Sequence, residues 1–275
     1  MTSEEQVVII EPNRSWFSLP LRDLFTFREL LYFLTWRDVK VRYKQTFLGA
    51  SWAILQPLLT MLIFTILFGR LAGIKSDVPY PLFTYSGLVI WTFFSNAITN
   101  SGNSLVGSAH LITKIYFPRI FVPAGAIAAG LVDLALAFVI QIGLMWYYHV
   151  RPSWTMLMIV PLVILITLLA LAVGMWLSAL NVKYRDIRYA IPFLLQLWMF
   201  ASPIIYPLNL IPQRWRWAVM LNPVTGIIDN FRVAVFANRP FEWKSLAAST
   251  IITAVLLIYS AFSFARMERH FADIV

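Results

Sequence analysis

Charge-free apolar runs alternate with short charged stretches along the chain, and the junction Arg42–Leu58, RYKQTFLGASWAILQPL, shows the pattern in miniature. Before Gly49 a charge falls every few residues; from Gly49 to Gly69 there is none. A chain that follows a membrane surface and then enters hydrocarbon has this profile. Six such runs occur, the third alone containing a charge, at Asp133: Ser51–Phe68, Leu82–Asn100, Phe121–Tyr148, Trp154–Leu180, Tyr189–Tyr206 and Leu246–Ala265. Each is predicted to cross as a helix, the third and fourth with length to spare for tilt. The expected fold is an all-α integral membrane domain of six transmembrane helices.

Two further regions are predicted to be helical without crossing. In Phe27–Lys44, Phe27, Leu30, Leu31, Leu34 and Val41 share one face by helical spacing, while Glu29, Arg37, Lys40 and Lys44 gather on another; Asp38 is the misfit. Such an amphipathic helix is expected on the inner membrane surface, as an anchor for the first span, a docking surface for a partner, or both. In Pro207–Lys244, prolines 207, 212, 223 and 240 cut the chain into pieces too short to cross. One piece, Gln213–Leu221, carries Trp215 and Trp217 beside Arg214 and Arg216. The next opens on Asn222-Pro223, an N-cap followed by a first-turn proline, and stays mostly apolar to Phe236, interrupted by Asp229 and Arg232. A re-entrant or interfacial helix pair fits best, placed as a lid on an outer mouth.

Composition agrees. Hydrophobic residues make up 60% of the 275 and charged ones 13%, with a mean hydropathy of +0.73; soluble chains carry about 25% charged residues. The net charge of +9 could suggest nucleic acid, but the basic residues sit between apolar runs rather than on one face. With the N-terminus inside, fourteen of the 22 lysines and arginines fall on the inner side, which predicts cytoplasmic termini. The acidic, polar start lacks a basic region leading into an apolar core, so the first span is expected to act as the insertion signal. Cysteine is absent, which excludes disulfide and thiol chemistry.

Candidate chemistry is sparse. No G-x-x-x-x-G-K-[ST] loop and no H-E-x-x-H occur, and His110, His149 and His270 lie apart at expected membrane edges. No catalytic residue and no metal site is therefore assigned. Leaving tyrosines aside, Asp133 is the one ionisable residue within the six runs. A bond to a neighbouring helix is favoured over a role toward substrate, because a lone acid has no relay. Around it Gly125, Ala126, Ala129 and Gly130 give the small-xxx-small spacing of close helix contacts. Among 43 aromatic residues, most belong to interface belts; Trp52, Tyr85 and Trp91 are candidates to line a route for sugars, whose C–H faces stack on rings.

Taken together, several motifs resemble the membrane subunits of type-2 ABC exporters for polysaccharide and polyol phosphate. They are Arg42-Tyr43-Lys44 with Leu48-Gly49, Trp52 and Pro57; Tyr116-Phe117-Pro118-Arg119; Tyr184-Arg185-Asp186; Ser202-Pro203-Ile204-Ile205-Tyr206-Pro207; and Asn222-Pro223. They cover nearly the whole chain, in order between the six runs, and look most like O-antigen export permeases, with teichoic acid and capsule permeases as relations.

The resemblance implies a homodimer enclosing one channel in a bacterial inner membrane, with two copies of a separate ATPase beneath. ATP and Mg would be bound by that partner, leaving this chain without a cofactor. It implies coupling to the ATPase through Gly102–Lys114, including Ser108, and through Tyr184, Arg185 and Asp186. It implies an interface helix bearing Arg37, Lys40, Arg42 and Lys44, and outer gate helices bearing Trp215, Trp217, Asn222 and Pro223. The division expected is a cytoplasmic start over 1–48, a membrane domain over 49–265 and a tail over 266–275. Two other functions compete with this one. An exporter of a small amphiphile or drug often carries an extracellular domain or a fused ATPase, which this chain lacks. A membrane-embedded glycan transferase needs clustered acids, and Asp77, Asp186 and Asp229 fall in three separate segments.

Overall fold

The computed structural model describes residues 27–44, 49–114 and 117–268. The expected start before Phe27, Leu48, Tyr116, His270 and the end of the tail lie outside the described residues. Helix α1 is Arg28–Lys44, α2 Gly49–Phe64 and α3 Tyr80–Gly107. They are followed by α4 Ala109–Lys114, α5 Phe121–Tyr147, α6 Ile159–Lys183 and α7 Ile187–Phe200. Then come α8 Gln213–Met220, α9 Pro223–Phe236 and α10 Trp243–Glu268. A π-helical stretch, Thr65–Leu71, prolongs α2, and a 3-10 turn, Trp154–Met158, leads into α6. No strand occurs among the described residues.

Among the described residues, four stretches are long and apolar enough to cross a membrane: Ser51–Leu71, Phe121–Tyr147, Trp154–Lys183 and Trp243–Glu268. In each, between 11% and 33% of the most apolar window is buried within the chain. Most of that surface is thus left for lipid or another subunit. The expected second run behaves differently. Its helix, α3, is the core of the bundle, packed by α5, α6, α9 and α2, with Leu82, Tyr85, Ile90, Phe94 and Ile98 fully enclosed. Shielded from lipid, it can carry Thr84, Ser86, Asn96, Asn100 and Ser101, which dilute its hydropathy. The fifth expected run, Tyr189–Tyr206, is cut short. Helix α7 stops at Phe200 after 14 residues, about 21 Å against a hydrocarbon core of about 30 Å.

Helix α1 departs from a helix lying on a surface. Its contacts climb α5 in step: Phe27 meets the ring of Phe121, Leu34 lies against Gly125, and Arg42 and Tyr43 reach Asp133. The expected apolar face is turned inward from Phe27 to Leu34, but Val41 is 58% exposed. The inner register passes to Arg42 and Tyr43 instead, because they have a carboxylate to meet.

Helix α9 is the most enclosed element, with all 14 residues buried. It lies on α10, whose buried Ser245, Ser249 and Thr253 recur every fourth residue and let the backbones approach. At Gly226 a Cβ would stand 2.6 Å from the Ser245 carbonyl oxygen and 2.3 Å from Ser249 Oγ. Gly226→Ala should therefore force α9 off α10 and cost about 1–3 kcal/mol, read as a lower melting temperature of the detergent-purified protein. Gly143→Ala, which meets nothing within 4 Å, should melt like the parent.

Candidate functional site

The helix bundle has two differently built ends. One gathers α4, the start of α5 and the α6–α7 turn. There Asn181 Nδ2 donates to the Gly102 carbonyl at 2.9 Å and to Asn103 Oδ1 at 3.1 Å. Arg119 Nη1 donates to the Glu268 carbonyl at 2.6 Å. The expected coupling segment Gly102–Lys114 is not one element here. Residues 102–107 are the last turns of α3, and Gly102 is buried beneath Ile191. Ser108, at the break, is 7% exposed, its N–H shared between the Ser104 and Leu105 carbonyls. Only α4 is a separate helix, and its Lys114 is exposed. Tyr184, Arg185 and Asp186 form an exposed turn at this same end, with the Lys183 ammonium 5.1 Å from the Tyr184 ring centroid. The small residues of α5 divide their work: Gly125 meets Leu34 of α1, and Gly130 meets Phe93 of α3.

Above this end sits the junction of α1 and α5. Asp133 accepts from Arg42 Nη1 on one oxygen and from the Tyr43 hydroxyl on the other. Burial, reinforced by the hydrogen bond to Asp133 and its negative charge, holds the Tyr43 phenol above its ordinary pKa. The phenol therefore remains a donor. Arg42 is thus turned inward, unlike the expected basic outer face. Of its companions, Arg37 pairs with Asp38 at 2.8 Å, Lys40 lies 5.8 Å from the Trp36 ring centroid, and Lys44 is exposed. The misfit Asp38 is thereby explained.

The Arg42–Asp133 pair closes one side of a cleft of ≈ 150 Å³ between α2, α3 and α5. Trp52 and Gln56 of α2 and Thr92, Asn96 and Asn100 of α3 line it. Of the three aromatics expected along a sugar route, only Trp52 opens onto this space, 55% exposed. Tyr85 is fully buried with its hydroxyl on the Ala137 carbonyl at 3.0 Å. Trp91 is 5% exposed and packed on Phe94. Neither has a face to offer, because α3 is core rather than wall at those positions.

The opposite end is organised by α9. Its Arg232, 3% exposed, donates from Nη1 to the Pro203 carbonyl and from Nη2 to the Ile204 carbonyl, both at 2.7 Å. The guanidinium carbon lies 3.6 Å from the Phe83 ring centroid. The Tyr80 hydroxyl takes the next carbonyl, Ile205, at 2.7 Å. Three consecutive carbonyls after α7 are therefore satisfied by side chains, which is what irregular backbone inside a membrane protein requires. The approach needs Gly87, where a Cβ would stand 2.5 Å from Arg232 Nη2.

Asn222 caps α9, accepting from Val224 N–H at 3.1 Å and from Trp198 Nε1 at 2.9 Å. It donates to Ser202 Oγ at 2.8 Å. Asp229, 2% exposed, pairs with Arg239 beyond the helix. Trp215 and Trp217 on α8 are 55% and 63% exposed, and Pro223 is buried at the first turn of α9. Sequence reasoning treated Asp229 and Arg232 as interruptions; they are the residues that tie this end together.

Comparison with known proteins gives a family. The ABC-2 type transporter family matches residues 29–236. The O-antigen export system permease protein RfbA of Myxococcus xanthus is 30% identical over 257 residues, covering 92% of this chain and 98% of that protein. A Klebsiella pneumoniae protein of the same name is 27% identical, covering 90% and 95%. The polysialic acid transport protein KpsM of Escherichia coli is 25% identical, covering 80% and 86%.

The α1–α5 junction can be tested by a double-mutant cycle. Asp133→Ala removes the carboxylate that Arg42 meets, and Arg42→Ala leaves Asp133 to the Tyr43 hydroxyl. The side chains keep 27% and 17% of their exposure, so each single change should cost about 1–3 kcal/mol, less than for a fully buried pair. The double variant should cost less than the sum, with coupling read from melting of the purified protein. Additive losses would remove the pair as the tie between α1 and the bundle.

Proposed function

With residues 29–236 matched, the chain belongs to the ABC-2 type transporter family, and from that premise we propose that it is the channel-forming permease subunit of an ATP-driven exporter of lipid-linked polysaccharide. The observation that carries this reading is end-to-end similarity to an O-antigen export permease, 98% of whose length is covered. In the proposed complex two copies of this chain enclose the pathway and two copies of a separate ATPase bind ATP and Mg beneath them. The chain itself performs no hydrolysis. It moves its substrate across a bacterial inner membrane.

Six crossings with both termini cytoplasmic complete the proposal: the four long apolar stretches, with α3 and α7 crossing inside the assembly. Helix α7 is too short to reach both surfaces in lipid. It also presents Phe193, Leu194 and Leu197 outward, each more than half exposed. A position against a second copy suits it, beside the exposed Leu59, Leu62 and Ile63 of α2. On this reading α4 and the Tyr184–Asp186 turn face the ATPase, α1 is the interface helix, and α8 with α9 forms the outer gate. The polar lining of the α2–α3–α5 cleft favours a glycan over a small amphiphile, which would gain more from apolar walls.

Topology offers a direct check in a chain without cysteine. Lys75→Cys, between α2 and α3, should react with an impermeant maleimide in spheroplasts, whereas Lys114→Cys should react only after the membrane is opened. Labelling of Lys114→Cys from outside would overturn the orientation. For the activity, deletion of the gene should leave lipid-linked glycan inside the cell and strip it from the surface, and tagged permease should retain an ATPase through purification. Normal surface glycan in the deletion strain would refute the export reading.

A further inference from the structure

The core helix α3 has one face that the bundle leaves half open. Thr92, Ser95, Asn96, Thr99, Asn100 and Asn103 lie along it, none of them charged. They follow two helical rows of period four, 92-96-100 and 95-99-103, and span about 16 Å at 1.5 Å per residue.

Hydrogen bonding along this face is unevenly spent. Thr99 Oγ1 donates to the Ser95 carbonyl at 2.8 Å, Ser95 Oγ to the Thr92 carbonyl at 3.3 Å, and Asn103 Nδ2 to the Thr99 carbonyl at 2.8 Å. Ser95 and Thr99 therefore keep oxygen lone pairs to accept with, whereas Asn103 Oδ1 already accepts from Asn181. Asn96 and Asn100 make no hydrogen bond among the described residues, and each keeps an amide donor pair and an acceptor for use outside. Polar groups left unpaired at membrane depth are costly, so this face requires water or a polar ligand. The cleft beside it, ≈ 150 Å³, has room for several waters.

Its chemistry selects among ligands. The one cation and the one carboxylate that line it, Arg42 and Asp133, neutralise each other, so no net charge calls for an ion. Side-chain amides in a row meet adjacent hydroxyls as donor and acceptor at once. Trp52 stands at the cleft with its indole more than half exposed, ready for the C–H face of a ring.

We propose that Asn96 and Asn100, with Gln56 and Trp52, form a subsite for an uncharged, hydroxyl-rich segment of the exported chain, one sugar ring at a time. This rests on the exporter reading above and deepens it.

The test uses the full permease–ATPase complex in lipid nanodiscs, with Ala53→Cys in the cleft as the one thiol. An uncharged oligosaccharide, isomaltoheptaose, is expected to slow maleimide labelling at least threefold, and a sulfated dextran of similar length to leave it unchanged. Adding Asn96→Leu with Asn100→Leu should abolish that protection, and in cells should cut the rate at which glycan reaches the surface about tenfold. The polar pair Asn96→Ser with Asn100→Ser should retain most of both, and melting of each complex checks that it is folded.

Protection that survives the leucine pair, equal protection by the sulfated chain, or a thiol unreactive without ligand would each overturn the subsite. So would a folded leucine variant exporting at the parental rate. A parent that exports no glycan would sink the exporter reading alone, because the labelling experiment does not depend on it.

Discussion

Hydrocarbon offers no hydrogen bonds, and every polar group that enters it must be answered from within the protein. Two answers shape this bundle. At one end, Asp133 is met by Arg42 and Tyr43, and this fixes α1 against α5 rather than leaving it free on a surface. At the other, the guanidinium of Arg232 meets the backbone where α7 gives out. That single side chain allows a broken helix, a short turn and an enclosed α9 to coexist where a simpler protein would have run one more continuous span. Burial of such a cation is costly in itself. Here it is returned through two carbonyl bonds and the face of Phe83.

Much of this was legible in the chain, and the part that was not has a common cause. Long charge-free runs locate α5, α6 and α10 to within a few residues, because lipid exposure leaves composition as the main constraint. Asn222-Pro223 marks the start of α9 because a cap is a local device. What the pattern could not supply is pairing across distance. Arg42 reads as one more basic residue on an amphipathic helix, and its partner lies 91 positions away. Arg232 and Asp229 read as interruptions for the same reason. Likewise Tyr85 and Trp91 read as possible channel walls, since nothing local tells a buried aromatic from an exposed one. The hydroxyl and amide rows of α3 were visible all along as Thr92-Asn96-Asn100, a spacing of four, but their meaning needed the cleft beside them.

Family membership and geometry complement each other. The relatives define a transport subunit, and the bundle then separates what is frame from what is free to act. Residues such as Gly102 and Ser108 belong to the frame, because they are enclosed by α6 and α7 or by their own helix end. Lys114, the Tyr184–Asp186 turn, Trp215 and Trp217 have surface to offer a partner or a lipid headgroup. Among the described residues, the polar groups gather at the ends of the bundle and along the α2–α3–α5 cleft.

The Arg232 contact also sets a clock on assembly. Pro203 and Ile204 leave the ribosome 29 and 28 residues ahead of the side chain that will satisfy them. At about 5–20 residues per second, that is a delay of roughly 1–6 s. Throughout that interval the Pro203 and Ile204 carbonyls wait for their donor, while Tyr80, already made, can take the Ile205 carbonyl. The first five expected runs can thus be threaded before α9 arrives to seal the turn, with α10 still to follow and cover α9.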